Sequence, residues 1–246
     1  QFLGTAGARF VMIKQLRSSG GIWIQFRDTR CLIDPGPGAL VRCLMHRPRR
    51  DPENLEAIIL THKHLDHSGD INVMIEAMTQ GRKKRGRLFA PRDCLGKDGV
   101  VYTYLEDLLD VTYLEPPARY DLRSISFEGV SRNRHSVETV GLRFLFPKKT
   151  VGLISDTAYY PELERLFDGC DVLIFNTVFL EKQSHYEHLS LPEAFDMVRR
   201  MRIGRAIFTH FGMGILSRLK EVRRQITRQK LHTKVSLAHD GMMIPL

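Results

Sequence analysis

The segment THKHLDHSGD, residues 61–70, contains three histidines and two aspartates within ten positions. His62 and His64 are two residues apart, so in an extended loop both imidazoles can point to the same side. Asp66 and His67 follow where the chain turns toward a helix, and they can face a second point nearby. Neutral imidazole and carboxylate groups are ligands for zinc and similar divalent ions. The spacing therefore predicts a metal site.

These four side chains can serve two ions only with help from elsewhere, because a catalytic ion needs about three protein ligands beside its water position. Three further candidates are His135 ahead of a predicted strand, Asp156 at the end of LISDT and His210 at the end of IFTH. Taken singly, each of them could merely cap a strand or pair with a polar neighbour. Taken with the ligand segment, they indicate two ions that share a water and convert it to hydroxide for hydrolysis.

The elements that must position these side chains alternate between strands and helices. Residues 57–60, AIIL, are a continuous apolar run, as is typical of a strand buried on both faces, and they lead directly into Thr61 and His62. The ligand segment therefore leaves the C-terminal end of a buried strand, where open α/β sheets usually place their sites. A helix is expected over about 70–79.

Further segments continue this alternation. Strands are predicted at 10–14, 22–26, 30–34, 88–90, 124–130, 140–146, 151–155, 171–176 and 206–209, followed by two short C-terminal strands. Helices are predicted at 40–46 and 99–109. A further helix is predicted to begin at the capping box formed by Ser190 and Glu193, and a final amphipathic helix to extend from Leu216 to Ile226. The pattern favours one α/β domain over residues 1–246, with two sheets and helices outside them.

The composition is that of a folded globular protein, with 43% hydrophobic and 26% charged residues in 246. The net charge of +9 suggests an anionic partner such as nucleic acid, or solubility alone. The basic stretches at 81–87 (GRKKRGR), Arg132 with Arg134, and Lys148-Lys149 either surround the site or are merely solvated. Four scattered cysteines without a CxxC pair, no signal-peptide pattern and no long apolar run predict a cytoplasmic protein without a membrane segment.

The string H-x-H-x-D-H, formed by His62, His64, Asp66 and His67, resembles the signature of the metallo-β-lactamase superfamily of hydrolases. IDPGPG contains the early aspartate of that pattern, Asp34. The later ligand positions match residues 135, 156 and 210. FLGTAG near the start and AHDGM near the end resemble the opening and closing strands of the ribonuclease Z-like branch, so the resemblance extends over nearly the whole chain.

This resemblance implies an αββα four-layer sandwich, in which two mixed sheets flanked by helices hold the metals at one edge. One ion would be bound by His62, His64 and His135, and the other by Asp66, His67 and His210. Asp156 would bridge them, Asp34 would orient a ligand without binding metal, and Asp66 would also belong to the catalytic residues. The cofactor is expected to be two divalent ions, with Zn²⁺ first and Mn²⁺, Ni²⁺ or Fe²⁺ as alternatives.

Three features separate this chain from other branches. His64 stands where diiron flavoproteins of this fold have glutamate, and Asp156 stands where many true β-lactamases have cysteine. Only 36 residues (246 − 210) follow His210, too few for the helical extension of glyoxalase II-like thioesterases. HYEHLSLPEA is similar to a histidine-containing stretch of ribonuclease Z-like phosphodiesterases. His188 would then be the general acid, or a donor to phosphoryl oxygens, unless it only caps or packs at the helix entry.

The short form of ribonuclease Z has a long tRNA-gripping arm between the ligands that match His135 and Asp156. Only 21 residues (156 − 135) separate them here, and they are mostly strand, so the arm is expected to be absent. The chain is thus more similar to armless relatives such as the cyclic phosphodiesterase of phosphonate utilisation. It has no cysteine before Cys31, so that group's extra N-terminal zinc site should be missing.

The sequence thus favours a metal-dependent phosphodiesterase that acts on a small or cyclic phosphodiester, or on short RNA or DNA. A homodimer is a further expectation. A thioester, lactone or other carboxylic ester hydrolase of the same fold is the alternative. A third interpretation is a non-catalytic nucleic-acid-binding protein that keeps metals for stability. A complete ligand set for two ions argues against it, because structural zinc needs only one closed four-ligand site.

Overall fold

The computed structural model describes residues 1–7 and 9–246. Within these residues the strands form two mixed sheets, in the orders β1-β2-β3-β4-β5 and β13-β12-β10-β9-β8-β7-β6, and β11 pairs with β10. The first sheet comprises β1 (Ile22–Phe26), β2 (Thr29–Ile33), β3 (Ala57–Ile59), β4 (Arg87–Ala90) and β5 (Asp110–Tyr113). The second comprises β6 (Ala118–Leu122), β7 (Ile125–Arg132), β8 (Val140–Phe146), β9 (Lys149–Ile154), β10 (Val172–Phe179), β11 (Leu189–Ser190), β12 (Arg205–Thr209) and β13 (Lys234–Leu237).

The two sheets use the same plan, in which antiparallel hairpins lead into a parallel block. In the first sheet, β1 and β2 are antiparallel, and β2 to β5 are all parallel. In the second, β6 to β9 form an antiparallel meander, whereas β9, β10, β12 and β13 are parallel. Because parallel strands end on the same side, each sheet has one edge at which the chain leaves several strands together.

Most of the helices cover the outer faces of both sheets. They are α1 (Phe10–Ile13), α2 (Ala39–Met45), α3 (Leu65–Ser68), α4 (Ile71–Thr79), α5 (Thr103–Glu106), α6 (Glu162–Phe167), α7 (Leu191–Arg200), α8 (Met213–Ser217) and α9 (Leu219–Arg228). Residues of α2, α4 and α5 pack on the first sheet, and residues of α6 to α9 pack on the second. The order of layers is helix, sheet, sheet, helix, as the resemblance implied.

A third apolar cluster lies between the sheets and joins them. Ile59 and Phe89 of the first sheet pack there with Phe127, Phe144 and Ile174 of the second, all buried. The ring of Phe127 lies 5.0 Å from that of Phe89 and 5.3 Å from that of Phe144. Burying these side chains removes a large apolar area from water. The resulting packing holds the two sheets at a fixed separation.

Several predicted elements are observed, and four differ. The capping box of α7 is present, and the Ser190 N–H donates to Glu193 Oε2 at 3.0 Å. The predicted helix over 99–109 is confined to α5, because a turn closed by the bond from Val100 N to Cys94 O at 2.8 Å precedes it. The final helix is divided into α8 and α9 at Arg218, which has non-helical dihedrals. One C-terminal strand, β13, is observed, and the second is reduced to backbone bonds between Phe2 and residues 241–242.

The predicted strand at 10–14 is wrong, because this segment contains the short helix α1. It lies in a loop whose neck is closed by the hydrogen bond from Ala6 N to Ser18 O at 2.9 Å. A chain that must return within so few residues cannot extend as a strand, and the bond from Ile13 N to Arg9 O at 2.9 Å forms a helical turn instead. The elements β5, β6, α6 and β11 were not anticipated from the sequence.

Candidate metal centre

The predicted ligands meet at the edge where strands of both sheets end. The first sheet contributes the segment after β3, in which His62 and His67 are buried and His64 and Asp66 are half-buried. The second sheet contributes single residues from separate connections. These are His135 after β7, Asp156 after β9, His188 before β11 and His210 after β12.

Three histidines form the first cluster of possible ligand atoms. Nitrogen atoms of His62, His64 and His135 lie within 4.8 Å of one another. The Nδ1 of His64 and the Nε2 of His135 are 3.1 Å apart, although 71 positions separate the two residues in the chain. This arrangement can hold one ion.

Four residues form the second cluster, namely Asp66, His67, Asp156 and His210, whose ligand atoms also lie within 4.8 Å of one another. The Nε2 atoms of His67 and His210 are 2.9 Å apart, and His210 Nε2 is 3.1 Å from Asp66 Oδ2. The Nε2 of His67 is 3.4 Å from Asp156 Oδ2. Two carboxylates and two imidazoles around one point suit a divalent ion.

Asp156 lies between the two clusters. Its Oδ2 is 3.9 Å from His62 Nε2 in the first cluster and 3.4 Å from His67 Nε2 in the second. The same oxygen is 3.5 Å from His188 Nδ1, and His135, Asp156 and His188 form a third possible group of ligands. The carboxylate of Asp156 is thus placed so that it can contact two ions at once.

The hydrogen bonds fix which nitrogen of each imidazole is free. His67 Nδ1–H donates to Asp34 Oδ2 at 2.9 Å, and His135 Nδ1–H donates to the carbonyl oxygen of Glu187 at 3.1 Å. His62 Nδ1 is 3.1 Å from Thr61 Oγ1, which donates its own proton to Asp34 Oδ2 at 2.7 Å, so this Nδ1–H donates to the hydroxyl. Each of the three histidines therefore presents the lone pair of Nε2 to the centre, as metal-binding histidines do.

The set of donors fits metal ions. The Nε2 of His62 and the Nδ1 atoms of His188 and His210 are buried and have no hydrogen-bond partner among the described residues. Leaving a buried polar atom unpaired costs roughly 1–3 kcal/mol, so three in one site are unfavourable unless something binds them. A divalent cation would satisfy such lone pairs.

The ionisation of the site also suits a cation. Burial lowers the pKa of His62 well below its usual range, lowers the pKa of His64 and His188, and lowers the pKa of His135 to about 4. Burial would raise the pKa of Asp156, but the neighbouring histidines His210, His67 and His188 hold it well below its usual range. Neutral imidazoles and an ionised carboxylate are the forms that bind metal. His67 differs: burial would lower its pKa, but the carboxylates of Asp66, Asp156 and Asp34 raise it well above its usual range, so a metal ion bound there would displace a proton.

The backbone around the centre adopts unusual conformations. Asp34 and His210 both have positive φ, 51° and 60°, which is uncommon for residues other than glycine and often marks functional sites. Two glycines allow close approach to the ligand-bearing backbone. A Cβ on Gly36 would lie 2.0 Å from Asp66 O, and a Cβ on Gly7 would lie 2.0 Å from His210 O. These contacts connect the sequence stretches IDPGPG and GTAG to the site.

Sequence reasoning missed several supporting residues. Thr61 donates to the carboxylate of Asp34 through both its backbone N–H and its hydroxyl, each at 2.7 Å, and Ser155 Oγ donates to Thr61 Oγ1 at 2.8 Å. Asn176 Nδ2 donates to Asp156 Oδ1 at 2.8 Å. Thr61 follows a buried strand, as the predicted ligands do, and that position was its only signal in the sequence. Asn176 lies inside β10, at the last residue that pairs with β12, and no signal in the sequence pointed to it.

The basic stretches are divided between the two ends of the sheets. Residues 81–86 precede β4, and Arg85 Nη2 donates to the carbonyl oxygen of Leu55 ahead of β3, so this loop lies at the end opposite the ligand segment. Lys148 and Lys149 likewise lie where β9 begins, whereas Asp156 follows its end. Arg132 and Arg134 lie on the site side, next to His135. Two of the three basic stretches are thus remote from the centre.

Within residues 1–7 and 9–246, no helix has the length and apolar character needed to cross a bilayer.

Two curated relatives match this chain over almost its full length. An uncharacterized protein of Methanocaldococcus jannaschii is 28% identical over 251 residues, covering 100% of this chain and 94% of the relative. A ribonuclease Z of Methanopyrus kandleri is 23% identical over 287 residues, covering 99% of this chain and 96% of the relative.

Solved structures show the same fold. A metallo-β-lactamase fold protein, YhfI from Bacillus subtilis, superposes with a TM-score of 0.77 at 19% identity, covering 98% of this chain and 96% of its own. A diphosphatase from the PhnP family gives a TM-score of 0.70 at 17% identity, covering 100% and 96%. The family profile described as "Beta-lactamase superfamily domain" matches residues 29–211, which include all the residues of both clusters. The chain therefore belongs to the metallo-β-lactamase superfamily.

Proposed function

We propose that this protein is a hydrolase with two metal ions that cleaves phosphodiesters. The observation that carries the proposal is the pair of ligand clusters that share Asp156. A structural metal needs one closed site, whereas two adjacent sites with a common carboxylate are typical of hydrolases that act on phosphate esters. Family membership supports the hydrolase class, and the arrangement of ligands supports the use of two ions.

In this proposal His62, His64 and His135 hold one ion, and Asp66, His67 and His210 hold the other. Asp156 would contribute to both sites, because its Oδ2 is near a histidine of each cluster. When bound, the ions would supply an activated water and neutralise charge on the phosphoryl oxygens. Zn²⁺ agrees best with the excess of imidazole over carboxylate ligands, and Mn²⁺, Ni²⁺ or Fe²⁺ are the alternatives. Asp34 fixes the ring of His67 and the backbone of Thr61, and does not itself bind metal.

His188 is proposed to act on the leaving oxygen. Its Nδ1 is buried 3.5 Å from Asp156 Oδ2, so Nε2 on the other side of the ring is the atom that can reach a substrate. The side chain is 16% exposed and lines a cavity together with Asp66 and Asp156. From there Nε2–H can donate a hydrogen bond to a phosphoryl oxygen. When Nδ1 beside Asp156 is also protonated, the ring can pass its Nε2 proton to the leaving oxygen and remain a neutral imidazole.

The named relatives support phosphodiesters as the substrate class, since one is a ribonuclease Z and one fold neighbour is a diphosphatase. The 21 positions from His135 to Asp156 (156 − 135) are largely occupied by β8 and β9, which leaves no room for a long arm there. A small or cyclic phosphodiester, or a short piece of RNA or DNA, is therefore the proposed substrate rather than folded tRNA.

The substrate class can be tested with the metal-loaded protein. Hydrolysis of bis(p-nitrophenyl) phosphate is compared with hydrolysis of a thioester and a lactone after loading with Zn²⁺, Mn²⁺ or Ni²⁺. We expect turnover of the phosphodiester. Turnover of the carboxylic substrates alone would support the alternative, a thioester, lactone or other carboxylic ester hydrolase of the same fold.

The role of His188 can be tested by His188→Ala, with His185→Ala as the matched control. His185 lies three residues earlier and is exposed. We expect His188→Ala to lower kcat by about 10²–10⁴-fold, the usual contribution of a general acid, while two metal ions remain bound. Loss of one ion instead would make His188 a ligand, as its grouping with His135 and Asp156 permits. An unchanged kcat would remove the residue from the mechanism.

We also propose that residues 1–246 form one hydrolase domain that works in the cytoplasm. All four cysteines are buried and free, and burial raises the pKa of Cys31 and Cys43 to about 12, which keeps them as unreactive thiols. We further propose that the protein forms a homodimer, which analytical ultracentrifugation of the purified protein would test.

A further inference from the structure

A cavity of about 500 Å³ lies at the metal centre, and both polar and apolar side chains line it. The polar ones are His64, Asp66, Asp156 and His188, together with Arg9. The apolar ones are Met12, Ile13 and Leu65, which we define as the apolar wall. The apolar wall thus lines the same cavity as the groups that are proposed to carry out the reaction.

Leu65 is fixed in this position by its neighbours. It lies between His64 and Asp66, each of which belongs to a ligand cluster, and its side chain is nevertheless 67% exposed. The bonds from His67 N to His64 O at 2.9 Å and from Gly69 N to Leu65 O at 2.8 Å hold its backbone in α3. Leu65 therefore cannot withdraw into the core without moving the ligands beside it.

The loop that contains Met12 and Ile13 is also held in place. Its neck is closed by the bonds from Ala6 N to Ser18 O at 2.9 Å and from Gly7 N to Phe211 O at 3.2 Å. Only Val11 of α1 is buried, and Ile13 is 64% exposed. Single exposed apolar residues are ordinary, but these side chains line the same cavity as the reactive groups, and a contiguous apolar patch commonly marks a binding site.

We infer, on the basis of the function proposed above, that the substrate is a small phosphodiester with an aryl group on one ester, and that this group packs on the apolar wall. The cavity volume lies within the range of small-molecule sites, which favours a small substrate over a polymer. Arg9 is positioned to balance the charge of the phosphate, and the apolar wall removes the flat group from water.

The inference is tested by comparing the binding of phenylphosphonate and methylphosphonate to the zinc-loaded protein by isothermal titration calorimetry. The two probes carry the same charged group, so contacts with the metals cancel in the ratio of their Kd values. We expect phenylphosphonate to bind at least about tenfold more tightly, as is usual for filling an apolar pocket. Equal Kd values would overturn the inference.

Two variants and a control assign the preference to the apolar wall. Ile13→Ser and Leu65→Ser should each reduce the ratio of Kd values by several-fold, with metal content measured in each case. Met45→Ser should leave the ratio unchanged, because Met45 is 73% exposed but does not line the cavity. A ratio that survives both Ile13→Ser and Leu65→Ser would overturn the assignment to these residues. Ile13 is remote in sequence from the ligand segment, so its variant guards against an indirect effect on the metals.

The outcome is separable from that of the proposed function. Turnover of bis(p-nitrophenyl) phosphate with equal Kd values for the two phosphonates would leave the phosphodiesterase standing and overturn the aryl site. A phenyl preference that depends on Ile13 and Leu65, in a protein that hydrolyses no phosphodiester, would support the aryl site and refute the proposed reaction.

Discussion

The two sheets supply the metal centre in different ways. The first sheet contributes four candidate ligands from one loop, residues 62–67, directly after β3. The second contributes His135, Asp156, His188 and His210 from four connections that are spread over 76 positions. A local loop fixes the spacing of its ligands through the chain itself. Dispersed ligands are brought together only when the strands pair in the correct order.

The residues that support the ligands differ in the same way. In the first sheet, Asp34 accepts hydrogen bonds from Thr61 and His67 and so orients the loop from a neighbouring strand. In the second sheet, His135 depends on the carbonyl oxygen of Glu187, and Asp156 depends on Asn176. In the first sheet, the single carboxylate of Asp34 thus orients the ligand loop, whereas the ligands of the second sheet are held by several separate hydrogen bonds.

The largest effect is expected from Asp156→Asn, because this second-sheet residue reaches both clusters. The substitution removes the charge that two ions would share. We expect kcat to fall by about a thousandfold or more and bound metal to fall from two ions to at most one. Metal analysis and turnover of bis(p-nitrophenyl) phosphate measure both. Asp98→Asn is the control, since Asp98 is exposed and remote in sequence from the ligands; retention of two ions in Asp156→Asn would contradict the bridging role.

The next largest effect is expected on metal affinity in Asp34→Asn, which is compared with Asn176→Ala. Each substitution alters one supporting residue, the first in the first sheet and the second in the second sheet. Asp34 holds both Thr61 and the ring of His67, whereas Asn176 donates one hydrogen bond to Asp156. We expect Asp34→Asn to weaken metal binding by about 10–100-fold and Asn176→Ala to weaken it less. Competition with a chelator of known affinity measures both. A larger loss in Asn176→Ala would mean that the dispersed ligands need more support than the loop.

A smaller effect is expected at the basic residues. Arg134 is exposed beside His135, and its guanidinium lies 4.9 Å from the centre of the Tyr160 ring. Arg134→Gln should raise KM for an anionic substrate by about threefold, as is typical of one exposed charge, and added salt should reduce the difference. Replacing Lys83 and Lys84 by glutamine should change KM little, because their loop lies at the opposite end of the first sheet. The reverse order of effects would show that the substrate extends across the protein.

The smallest effect is expected from Glu164→Gln, on the outer helices of the second sheet. A hydrogen bond from Arg200 lowers the pKa of Glu164 below its usual value. The pair therefore stabilises the protein above the unfolded-state pKa of Glu164, and this stabilisation is lost as pH falls through the folded-state pKa. We expect Glu164→Gln to cost less than about 1 kcal/mol near pH 7, and the difference in Tm from wild type to vanish in acid. Metal content should not change; a change would couple this surface to the site.

The accuracy of the sequence predictions follows the same division between local and distant information. The strand before His62 and the α7 helix were predicted because an apolar run and a capping box are local signals. The strand predicted at 10–14 was wrong, because this segment lies in a loop closed between Ala6 and Ser18 and forms the short helix α1 there. The edge strands β5 and β6 were missed because they are half-exposed and less apolar.

The sequence by itself determined the chemistry of the ligands, since imidazole and carboxylate groups at H-x-H-x-D-H spacing indicate metal wherever the loop lies. It also indicated that His135, Asp156 and His210 follow or precede strands. Only the tertiary structure decided that Asp156 reaches both clusters, which nitrogen His62, His67 and His135 present, and that an apolar wall lines the same cavity as the reactive groups. The reason is physical: contacts between residues tens of positions apart depend on strand order and on the apolar packing between the sheets, and neither is encoded in local spacing.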